Sequence, residues 1–509
     1  MDLACTTEET ALELSASLAE PPDPTVVAAA RELTLSTTLP TSLVVTLDDG
    51  VSPRRITFPE LATSRMVPIV GFTPGAATTV TAQVFAEDGS QTSRAWEVAI
   101  PSLPLSFPQI DVLAWDRDRL EPGWTLLDAK QPEGEAIYLI LLDEAGRPVW
   151  WYVGFGAFGD ARLLPNGHLF VLAAGNAWEL DLMGRVVRGW GEADADVPTT
   201  MVPIPAPNLN HEGYPDETGF YSLNWQHTKV PAFPTSYTAL DTFTPETVSD
   251  QAIVRYDWDG TQTLDLSIAS LLDTQRIGFD SLDLTGAAWD WCHANGVVPV
   301  DDGLVVSVRH QDVVMKLDDG GELQWLLGTP SGWRSPWSDL LLTPTGSPFA
   351  WPFHAHAPEV EEDGTIVLFD NQFHGYTPYD EAVAQSPARV VGYRVDEASR
   401  TVSQRFSFSD TTTGTLESDA LGDADMQPLT GNILADYGFV TAEAGVDNEA
   451  LGFAKRSIRL VEYAPDGEVL ADLRLHSDAG DPLEGWKSYR AERLVPWAAA
   501  GPAHAVLDE

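Results

Sequence analysis

Three histidines stand at related places in the chain, and their spacing predicts that their side chains converge. His211, His293 and His356 each precede a glycine in a predicted turn, by eight, ten and eight residues. If each lies on the first strand of one structural repeat, and if those first strands surround a common axis, the three imidazoles meet at one place. An imidazole nitrogen can attack an electrophilic group and carry it covalently, exchange protons near neutral pH, or bind a metal ion.

Two more polar side chains are predicted to share this place. Asn295 lies two residues after His293, and side chains two apart on a strand point to the same face. Arg309 lies on the predicted return strand, residues 305–309, and the alternation places His310 on the opposite face, so only one of these two is expected in the site. Three imidazoles, an amide and a guanidinium would form a pocket rich in hydrogen-bond donors and without a carboxylate. Such a pocket suits a tetrahedral oxyanion such as a sulfuryl or phosphoryl group.

Other interpretations of the histidines remain open. His354 lies two residues before His356 on the same predicted strand face, so it is an alternative acting residue. His227 and His374 lie in poorly patterned stretches and are expected in loops or outside the site. Three histidines could instead bind a metal ion, although an arginine aimed at the site disfavours a cation there. A histidine on a strand is also often a structural residue held by hydrogen bonds.

The elements that would position these residues are two alternating kinds of hairpin, which begin at about residue 124. The first kind turns on aspartate and usually glycine, and its six copies lie at residues 138–151, 178–190, 253–266, 313–326, 390–406 and 458–475. The second joins two aliphatic strands, and it turns at residues 166–167, 218–219, 302–303, 363–364 and 430–431, with a sixth, closing copy at 489–496. About six four-stranded blades around a central channel are predicted, which is a β-propeller. An array of β-sandwiches would not explain the alternation.

The N-terminal part of the chain has a different pattern. Residues 8–103 alternate short β-rich runs with turns, and the stretch 69–85 is typical of a fibronectin-like or immunoglobulin-like sandwich. The sequence therefore predicts an all-β chain, with a six-bladed β-propeller preceded by a small immunoglobulin/fibronectin-like β-sandwich. The predicted boundaries are a processed N-terminal stub at 1–7, the sandwich at 8–103, a linker into the propeller at 104–123, and the catalytic propeller at 124–509.

Composition excludes several classes of partner. The 509 residues include 29 Lys+Arg and 76 Asp+Glu, which gives a formal net charge of −47. The acidic residues are spread along the chain, and no basic run is present. Nucleic acid and anionic membrane surfaces are therefore poor partners. A glycine-rich loop that could hold a nucleotide phosphate is also absent from the sequence, so no nucleotide cofactor is predicted.

The two cysteines, Cys5 and Cys292, exclude a disulfide framework and a cysteine-rich zinc site. Cys5 follows Leu3-Ala4 and precedes a polar acidic stretch, which resembles the processed junction of a lipoprotein. This pattern predicts an exported protein with a possible lipid anchor at Cys5, and the alternative is a cytosolic N-terminus with a chance cysteine. Cys292 alternates with His293, so it is expected to face the sheet interior and not to act as a nucleophile.

A set of stretches in fixed order carries a resemblance to a known family. They are residues 290–295 (DWCHAN), 306–312 (VSVRHQD), 314–317 (VMKL), 325–328 (WLLG), 356–359 (HAPE), 363–371 (DGTIVLFDN), 422–425 (GDAD), 431–432 (GN) and 488–491 (SYRA). The chain resembles the bacterial arylsulfate sulfotransferases over about residues 110–497.

That resemblance implies a fold, an activity and a set of site residues. It implies a six-bladed propeller behind a small β-domain, export from the cytoplasm, and ping-pong transfer of a sulfuryl group from a phenolic sulfate ester to a phenol through a sulfohistidine. The nucleophile falls on His356, the His-x-Asn pair on His293 and Asn295, and the Ser-x-Arg arginine on Arg309. The remaining histidine falls best on His211, with His227 as the alternative. Neither a metal nor an organic cofactor is implied.

The sequence departs from the family pattern in three ways. It lacks the cysteine pair of the family members that have a disulfide, it has Ala355 where glutamine is common, and an insertion at about 191–250 is expected to reshape the channel mouth. The leading hypothesis is an exported arylsulfotransferase, either periplasmic or on the cell surface. The rivals are a non-catalytic surface lipoprotein whose propeller binds a ligand or partner, and a hydrolase or lyase that uses the histidines with a metal. The sequence leaves the natural donor, the acceptor and the oligomeric state open.

Overall fold

The computed structural model describes residues 11–51, 53–134, 136–154, 156, 158–192, 201–205 and 208–494, and the backbone of 506–508. Strands dominate this part of the chain, and its α-helices are α1 (Ile268–Leu271) and α2 (Asn448–Leu451). The prediction of an all-β chain is confirmed. Among the described helices, none combines the length and the apolar character that membrane crossing requires.

The strands follow one another in chain order. The first group is β1 (Leu14–Ala19), β2 (Arg31–Asp48), β3 (Arg54–Ile69), β4 (Ala77–Ala86), β5 (Gln91–Ala99), β6 (Gln109–Trp115), β7 (Trp124–Lys130), β8 (Ile137–Leu142) and β9 (Pro148–Val153). The second is β10 (Phe158–Leu163), β11 (Leu169–Ala173), β12 (Asn176–Leu180), β13 (Val186–Gly191), β14 (Met201–Pro203), β15 (Leu209–Pro215), β16 (Gly219–Pro234), β17 (Phe243–Asp257), β18 (Gln262–Ser267), β19 (Leu284–Thr285) and β20 (Ala288–Trp289).

The later strands begin after the DWCH stretch. They are β21 (Ala294–Val300), β22 (Gly303–Val308), β23 (Val313–Asp318), β24 (Leu323–Gly328), β25 (Thr343–Thr345), β26 (His356–Val360), β27 (Thr365–Asp370), β28 (Arg389–Asp396) and β29 (Thr401–Phe408). The last are β30 (Asp410–Thr411), β31 (Gly414–Ser418), β32 (Asp423–Met426), β33 (Ile433–Glu443), β34 (Val446–Asp447), β35 (Ser457–Tyr463), β36 (Val469–His476), β37 (Ala491–Leu494) and β38 (Val506–Asp508).

Six curled sheets follow the N-terminal strands, and the core of each is a series of four antiparallel strands. Parallel pairs extend three of the sheets, namely β13–β14, β17–β20 and β25–β29. The four-stranded antiparallel series begin with β10, β15, β21, β26, β32 and β37, and we call these six strands the first strands. From β10 to β32, each first strand contacts the next one. The C-terminal strand β37 pairs with β7, so one sheet combines strands from both ends of this region. Strands such as β8 and β22 are buried along their whole length, because the neighbouring sheets cover both of their faces.

The aspartate turns of the repeat have a common local cause. Asp143 accepts backbone N–H groups of Ala145 and Arg147, at 2.9 and 3.0 Å. Asp318 makes the same two contacts with Gly320 and Glu322, at 2.9 Å each. A side-chain oxygen that takes over backbone donors fixes a tight turn between two strands. The repeated aspartate therefore sets where each hairpin reverses.

The N-terminal strands form a sheet of their own. Strand β2 pairs with β1 over its first half and with β4 over its second half, and β3 pairs with β2 along both halves. The result is one curled sheet with the order β38-β3-β2-β4-β5. The N-terminal region contacts the six-sheet region through a bridge between Val27, which lies between β1 and β2, and Tyr152. Glu32 of β2 adds an ion pair with Arg185, whose N···O distance is 2.7 Å.

Two pairings cross the predicted domain boundaries. Strand β6 lies in the predicted linker 104–123 but pairs with β36, so it is the outer strand of a sheet. Strand β38 lies at the end of the predicted 124–509 domain but pairs with β3 of the N-terminal sheet. The boundaries at 8–103 and 124–509, and the two-sheet sandwich, stay predictions.

Candidate active site

The three predicted histidines lie at the starts of three neighbouring first strands, and a β-bulge interrupts each strand there. The register shifts fall between Asn210 and Gly213 in β15, between Ala294 and Gly296 in β21, and between His356 and Glu359 in β26. The backbone φ is positive at His211 (63°), His293 (45°) and Ala357 (48°). Bulges re-aim side chains out of the strand alternation, and left-handed φ values in non-glycine residues cluster at functional sites. The local backbone is therefore built to turn these residues toward one place.

His211 and His293 contact each other directly. Their Nε2 atoms lie 3.2 Å apart, so one proton is shared between two nitrogens. The Nδ1 of His293 lies 2.6 Å from the carboxylate of Asp290, which can only accept a hydrogen bond when ionised. Burial, followed by the nearby His293, Arg490 and Arg309, lowers the pKa of His211 well below its usual value. The pair and Asp290 therefore form a chain of contacts that begins at a carboxylate.

His356 has a defined tautomer. Its Nδ1 lies 2.6 Å from the Oδ1 of Asn371, whose Nδ2 donates to the carbonyls of Ser418 and Leu421 at 2.8 and 3.0 Å. Because the Asn371 oxygen faces the ring, Nδ1 of His356 must carry the proton and Nε2 must hold the lone pair. The backbone N–H of Leu421 donates to that Nε2 at 3.3 Å.

The environment of His356 favours the neutral imidazole. The residue is 2% exposed, and burial is the largest cause that lowers its pKa well below the usual value. Arg309 adds to this shift, whereas the hydrogen bond to Asn371 opposes it. A neutral ring whose lone pair is on Nε2 is the form that can act as a nucleophile.

Arg309 lies beside these histidines, but not on a strand. Strand β22 ends at Val308, and Arg309–Gln311 form a 3-10 turn. Arg309 Nη1 donates to Asp280 at 3.1 Å and Nη2 donates to the Asp419 carbonyl at 3.2 Å. Its Nε is buried and has no hydrogen-bond partner among the described residues. One N–H of the guanidinium is therefore left without an acceptor among the described residues.

The expectation that Arg309 and His310 point to opposite faces is wrong. Strand alternation does not apply in a 3-10 turn, and Nη1 of Arg309 contacts Nε2 of His310. The His310 ring stacks on His293 with 4.5 Å between centroids. His310 therefore belongs to the same cluster, although the period-two pattern excluded it.

The expectation of a site without carboxylates is also wrong. Asp290 contacts His293, and Asp280 contacts Arg309. Asp312 lies 2.9 Å from Nδ1 of His354. Each comes from a loop or from the end of a short element, and Asp280 has a φ of 65°. Such positions have no strand periodicity, so spacing alone did not associate them with the histidines.

Asn295 lies near the site, and its amide is already engaged. It is fully buried, its Nδ2 donates to the Ala355 carbonyl at 2.9 Å, and its Oδ1 accepts from Ser307. His293 precedes the strand and Asn295 lies in the bulge, so the period-two argument that placed both on one face does not hold. Asn295 holds the residue before His356, and its expected contact with a transferred group stays a prediction.

The remaining predicted residues occupy different surroundings. His354 is fully buried between Asp312 and Asp280, with Nε2 3.7 Å from Asp280. Its ring is therefore enclosed by carboxylates, which favours a structural role. His227 is exposed on β16, a strand where a loop was expected. His374 is half-buried and stacks on Phe279 with 4.1 Å between ring centroids.

Cys292 faces the interior as predicted. Its thiol is fully buried and lies 3.2 Å from Oε1 of Gln251. Burial is the first cause that raises the pKa of this thiol well above its usual value, and the carboxylates of Asp250 and Asp290 add to it. The thiolate, which is the nucleophilic form, is therefore disfavoured. Cys5 lies outside the described residues, so lipid anchoring at Cys5 stays a prediction.

Tyr489 is a site residue that the chemical reasoning from spacing missed. Its ring stacks on His211 at 5.7 Å and meets His356 edge-on at 6.4 Å between centroids. Its hydroxyl donates to the Asn295 carbonyl at 3.0 Å. Asp128 fixes its backbone by accepting the Tyr489 N–H at 2.6 Å. The available signal was the SYRA stretch, which contains this residue.

A layer of buried charges lies next to these rings. Glu212, directly after His211, accepts hydrogen bonds from Arg490 and from Arg162, the latter at 2.9 Å. Arg162 also lies 3.2 Å from Glu359 and 3.3 Å from Glu492, so it joins four first strands. Burial is the first cause that raises the pKa of Glu492 to about 8. This layer fixes the strands that present His211 and Tyr489.

The insertion expected at 191–250 forms an extended hairpin where it is described. Strands β16 and β17 pair from Gly219–Asp257 to Pro234–Phe243. Trp225 at the middle of β16 meets His211 and His293 edge-on, at 6.1 and 5.6 Å between centroids. The insertion therefore contributes a ring beside the histidine pair. Residues 193–200 and 206–207 lie outside the description.

The cluster offers one set of potential metal ligands. Atoms of Asp290, His293 and His310 lie within 4.8 Å of one another. However, Nδ1 of His310 lies 2.6 Å from the Asp290 carbonyl and must be protonated, while its Nε2 faces Arg309. No lone pair of His310 remains for a metal, and the guanidinium already supplies a positive charge. The set therefore fits hydrogen bonding better than metal coordination.

Comparisons with known proteins agree with this chemistry. The sequence model of the family described as arylsulfotransferase (ASST) matches residues 111–486. Over 344 residues the chain is 24% identical to an arylsulfate sulfotransferase AssT of Lelliottia amnigena, and the aligned part covers 54% of this chain and 54% of that protein. Over 141 residues it is 26% identical to the AssT of Escherichia coli O6:H1, which covers 24% of this chain and 23% of that protein.

Among solved structures, a protein of unknown function from Bacteroides caccae aligns with a TM-score of 0.35 at 11% identity, over 69% of this chain and 94% of that one. The chain spans about half or less of the length of the curated relatives it matches. The family match, by contrast, extends over most of the chain and includes the whole histidine cluster. The chain belongs to the arylsulfotransferase family.

Proposed function

We propose that this protein is an arylsulfotransferase that moves a sulfuryl group from a phenolic sulfate ester to a phenol by a ping-pong mechanism, with His356 as the covalent carrier. The six curled sheets are proposed to be the blades of a β-propeller, with the histidines at one end of its central channel. Export to the periplasm or cell surface is part of the proposal and rests mainly on the resemblance to the bacterial arylsulfate sulfotransferases.

The observation that carries the proposal is the fixed tautomer of His356. Asn371 accepts from Nδ1 at 2.6 Å, which leaves the lone pair on Nε2. Attack on sulfur places a positive charge on the ring, and the same Asn371 oxygen then stabilises the Nδ1–H of that charged ring. The amide is itself held by two backbone carbonyls, so it need not reorganise during the reaction.

The neighbouring donors suit the three oxygens of a sulfuryl group. Arg309 offers an unpartnered Nε–H, and its other nitrogens are held by Asp280 and Asp419. The Leu421 N–H, at 3.3 Å from Nε2 of His356, is placed to donate to an oxygen on the sulfur that joins that nitrogen. Donors that are fixed before the reaction stabilise developing charge most effectively.

The histidine pair supplies and takes protons. In the first half-reaction, Nε2 of His356 forms a bond to sulfur, the bond from sulfur to the aryl oxygen breaks, and the phenol leaves with a proton from the His293–His211 pair. In the second, the acceptor phenol returns a proton to that pair and its oxygen attacks sulfur. The N–S bond then breaks, and its electron pair returns to Nε2. Protons and charge balance over the two steps without a metal or an organic cofactor.

The test uses an aryl sulfate whose phenol is coloured when released. We expect release beyond one phenol per enzyme to need a second phenol, to produce the sulfate ester of that phenol, and to continue in EDTA. His356→Ala should abolish release, whereas His227→Ala, which changes an exposed histidine on β16, should retain it. Production of free sulfate without an acceptor would instead identify a hydrolase. Loss of phenol release in EDTA would identify a metal enzyme. No release at all would identify a non-catalytic binding protein.

A further inference from the structure

His310 is a buried imidazole that the proposed mechanism does not use. It is 2% exposed and contacts three members of the cluster. Its Nδ1 lies 2.6 Å from the Asp290 carbonyl oxygen, its Nε2 contacts Nη1 of Arg309, and its ring stacks on His293 at 4.5 Å between centroids. It therefore links the guanidinium to the residues of the histidine pair.

The contacts define the protonation of His310. A carbonyl oxygen accepts hydrogen bonds and cannot donate them, so Nδ1 of His310 carries a proton toward Asp290. An arginine nitrogen donates and cannot accept, so Nε2 of His310 must present its lone pair to Arg309. Both contacts are satisfied at once only by the neutral ring with its proton on Nδ1.

The lone pair of His310 completes the set of acceptors around Arg309. Asp280 and His310 both face Nη1, and the Asp419 carbonyl faces Nη2. These acceptors hold one edge and one end of the planar guanidinium, and they leave Nε unpartnered. A guanidinium held in this way cannot rotate its free Nε–H away from an incoming oxyanion without losing hydrogen bonds.

We propose that His310 is a positioning residue, which orients Arg309 toward the transferred group through the lone pair on its Nε2. This inference rests on the proposed function, because it assigns His310 a part in binding the sulfuryl group of that reaction. His310 itself does not touch the reacting atoms. Its effect on the reaction is therefore expected to disappear when Arg309 is absent.

Two amide variants separate the two contacts of the ring. In His310→Gln the amide reaches the place of Nε2 and can present its oxygen to Arg309. In His310→Asn the amide reaches only the place of Nδ1, where it can donate to the Asp290 carbonyl. We expect His310→Asn to lower kcat/KM for the aryl sulfate about 10- to 100-fold, as for loss of a hydrogen bond to a charged group, with most of the loss in kcat. His310→Gln should recover most of that activity.

The Arg309→Ala background provides the matched control. If His310 acts through Arg309, adding His310→Asn to Arg309→Ala should change kcat/KM less than about threefold, because the two sites are coupled. Equal losses in the Asn and Gln variants, or an undiminished loss in the Arg309→Ala background, would overturn the inference. If wild type shows transfer and the variants fail this pattern, only the His310 inference fails. Absence of transfer by wild type would instead reject the proposed function and with it this role.

A second measurement does not depend on the folding of variants. Nitrogen-15 NMR of the histidine-labelled wild-type protein distinguishes the two neutral tautomers and the charged ring. We expect His310 to be neutral with its proton on Nδ1 at neutral pH. A proton on Nε2, or a charged ring, would place a donor against Arg309 and would overturn the inference.

Discussion

Replacing Asn371 by aspartate should shift the pH at which the rate of the first half-reaction rises to a higher value. In Asn371→Asp the group 2.6 Å from Nδ1 of His356 changes from an amide oxygen to a carboxylate. Burial and Arg309 hold the pKa of His356 well below its usual value, whereas an adjacent carboxylate favours the charged ring. Attack on sulfur needs the neutral ring, so more of the enzyme is inactive at any given mildly acidic pH.

The size of the shift follows from the geometry. An opposite charge within about 4–6 Å moves a pKa by about 1–3 units. The variant also loses the donors to the carbonyls of Ser418 and Leu421, which weakens the placement of the new carboxylate. We therefore expect the rising limb of the pH profile to move up by about 1–2 units. In the wild type this limb should lie below the ordinary histidine value of about 6.5.

Asn371→Ala is the control, because it removes the same acceptor without adding a charge. It removes the acceptor for Nδ1–H of the charged ring that forms on attack, a hydrogen bond worth about 1.5–3 kcal/mol, so the rate should fall about 10- to 100-fold. The rising limb of the pH profile of Asn371→Ala should not move to higher pH. The assay is single-turnover release of a coloured phenol between pH 4 and pH 9. Wild-type and Asn371→Asp profiles that share one limb would refute the assignment of His356 as the group whose neutral form attacks.

Three further predictions concern residues around this centre. Arg309→Lys should lower kcat/KM by an amount that corresponds to a loss of about 2–4 kcal/mol in transition-state stabilisation, because an ammonium cannot replace the planar guanidinium. Near wild-type turnover of this variant would show that Arg309 is not part of the site. Cys292→Ser should keep its activity, since the buried thiol is not the nucleophile, and complete loss with an unchanged circular dichroism spectrum would contradict this. The pKa of Glu492 is raised to about 8, so its contribution to stability is present at low pH and is lost as the pH rises through about 8. The melting temperature of wild type should therefore fall between pH 6 and pH 9, and that of Glu492→Gln should fall less; equally steep decreases would count against the raised pKa.

The sequence predicted the parts of the site that depend on repetition. His211, His293 and His356 recur eight to ten residues before turn glycines, and the structure brings His211 and His293 into contact. Tyr489 meets the rings of both His211 and His356, so the third histidine adjoins the same group. The aspartate and glycine turns likewise located the hairpins, because a turn has local chemical requirements that a single sequence displays.

The sequence did not predict the parts that depend on irregular backbone. Arg309 and His310 alternate in the sequence, but a 3-10 turn brings them to one side. Asp280 and Asp290 approach the histidines from segments without periodicity, and their contacts depend on the tertiary fold. Asn295 was assigned to the face of His293, but the bulge in β21 alters that alternation. Functional sites are where local patterns are expected to fail in this way.

The most direct test of the central claim is to trap the sulfuryl group on the protein. The enzyme is mixed with an aryl sulfate donor and no acceptor, quenched in base, digested and examined by mass spectrometry. We predict one added sulfuryl group on the peptide that contains His356, located on His356 by fragmentation, and its loss when a phenol is added before the quench. A sulfuryl group on His354, or no label under conditions in which the phenol is released in an amount equal to the enzyme, would contradict the account.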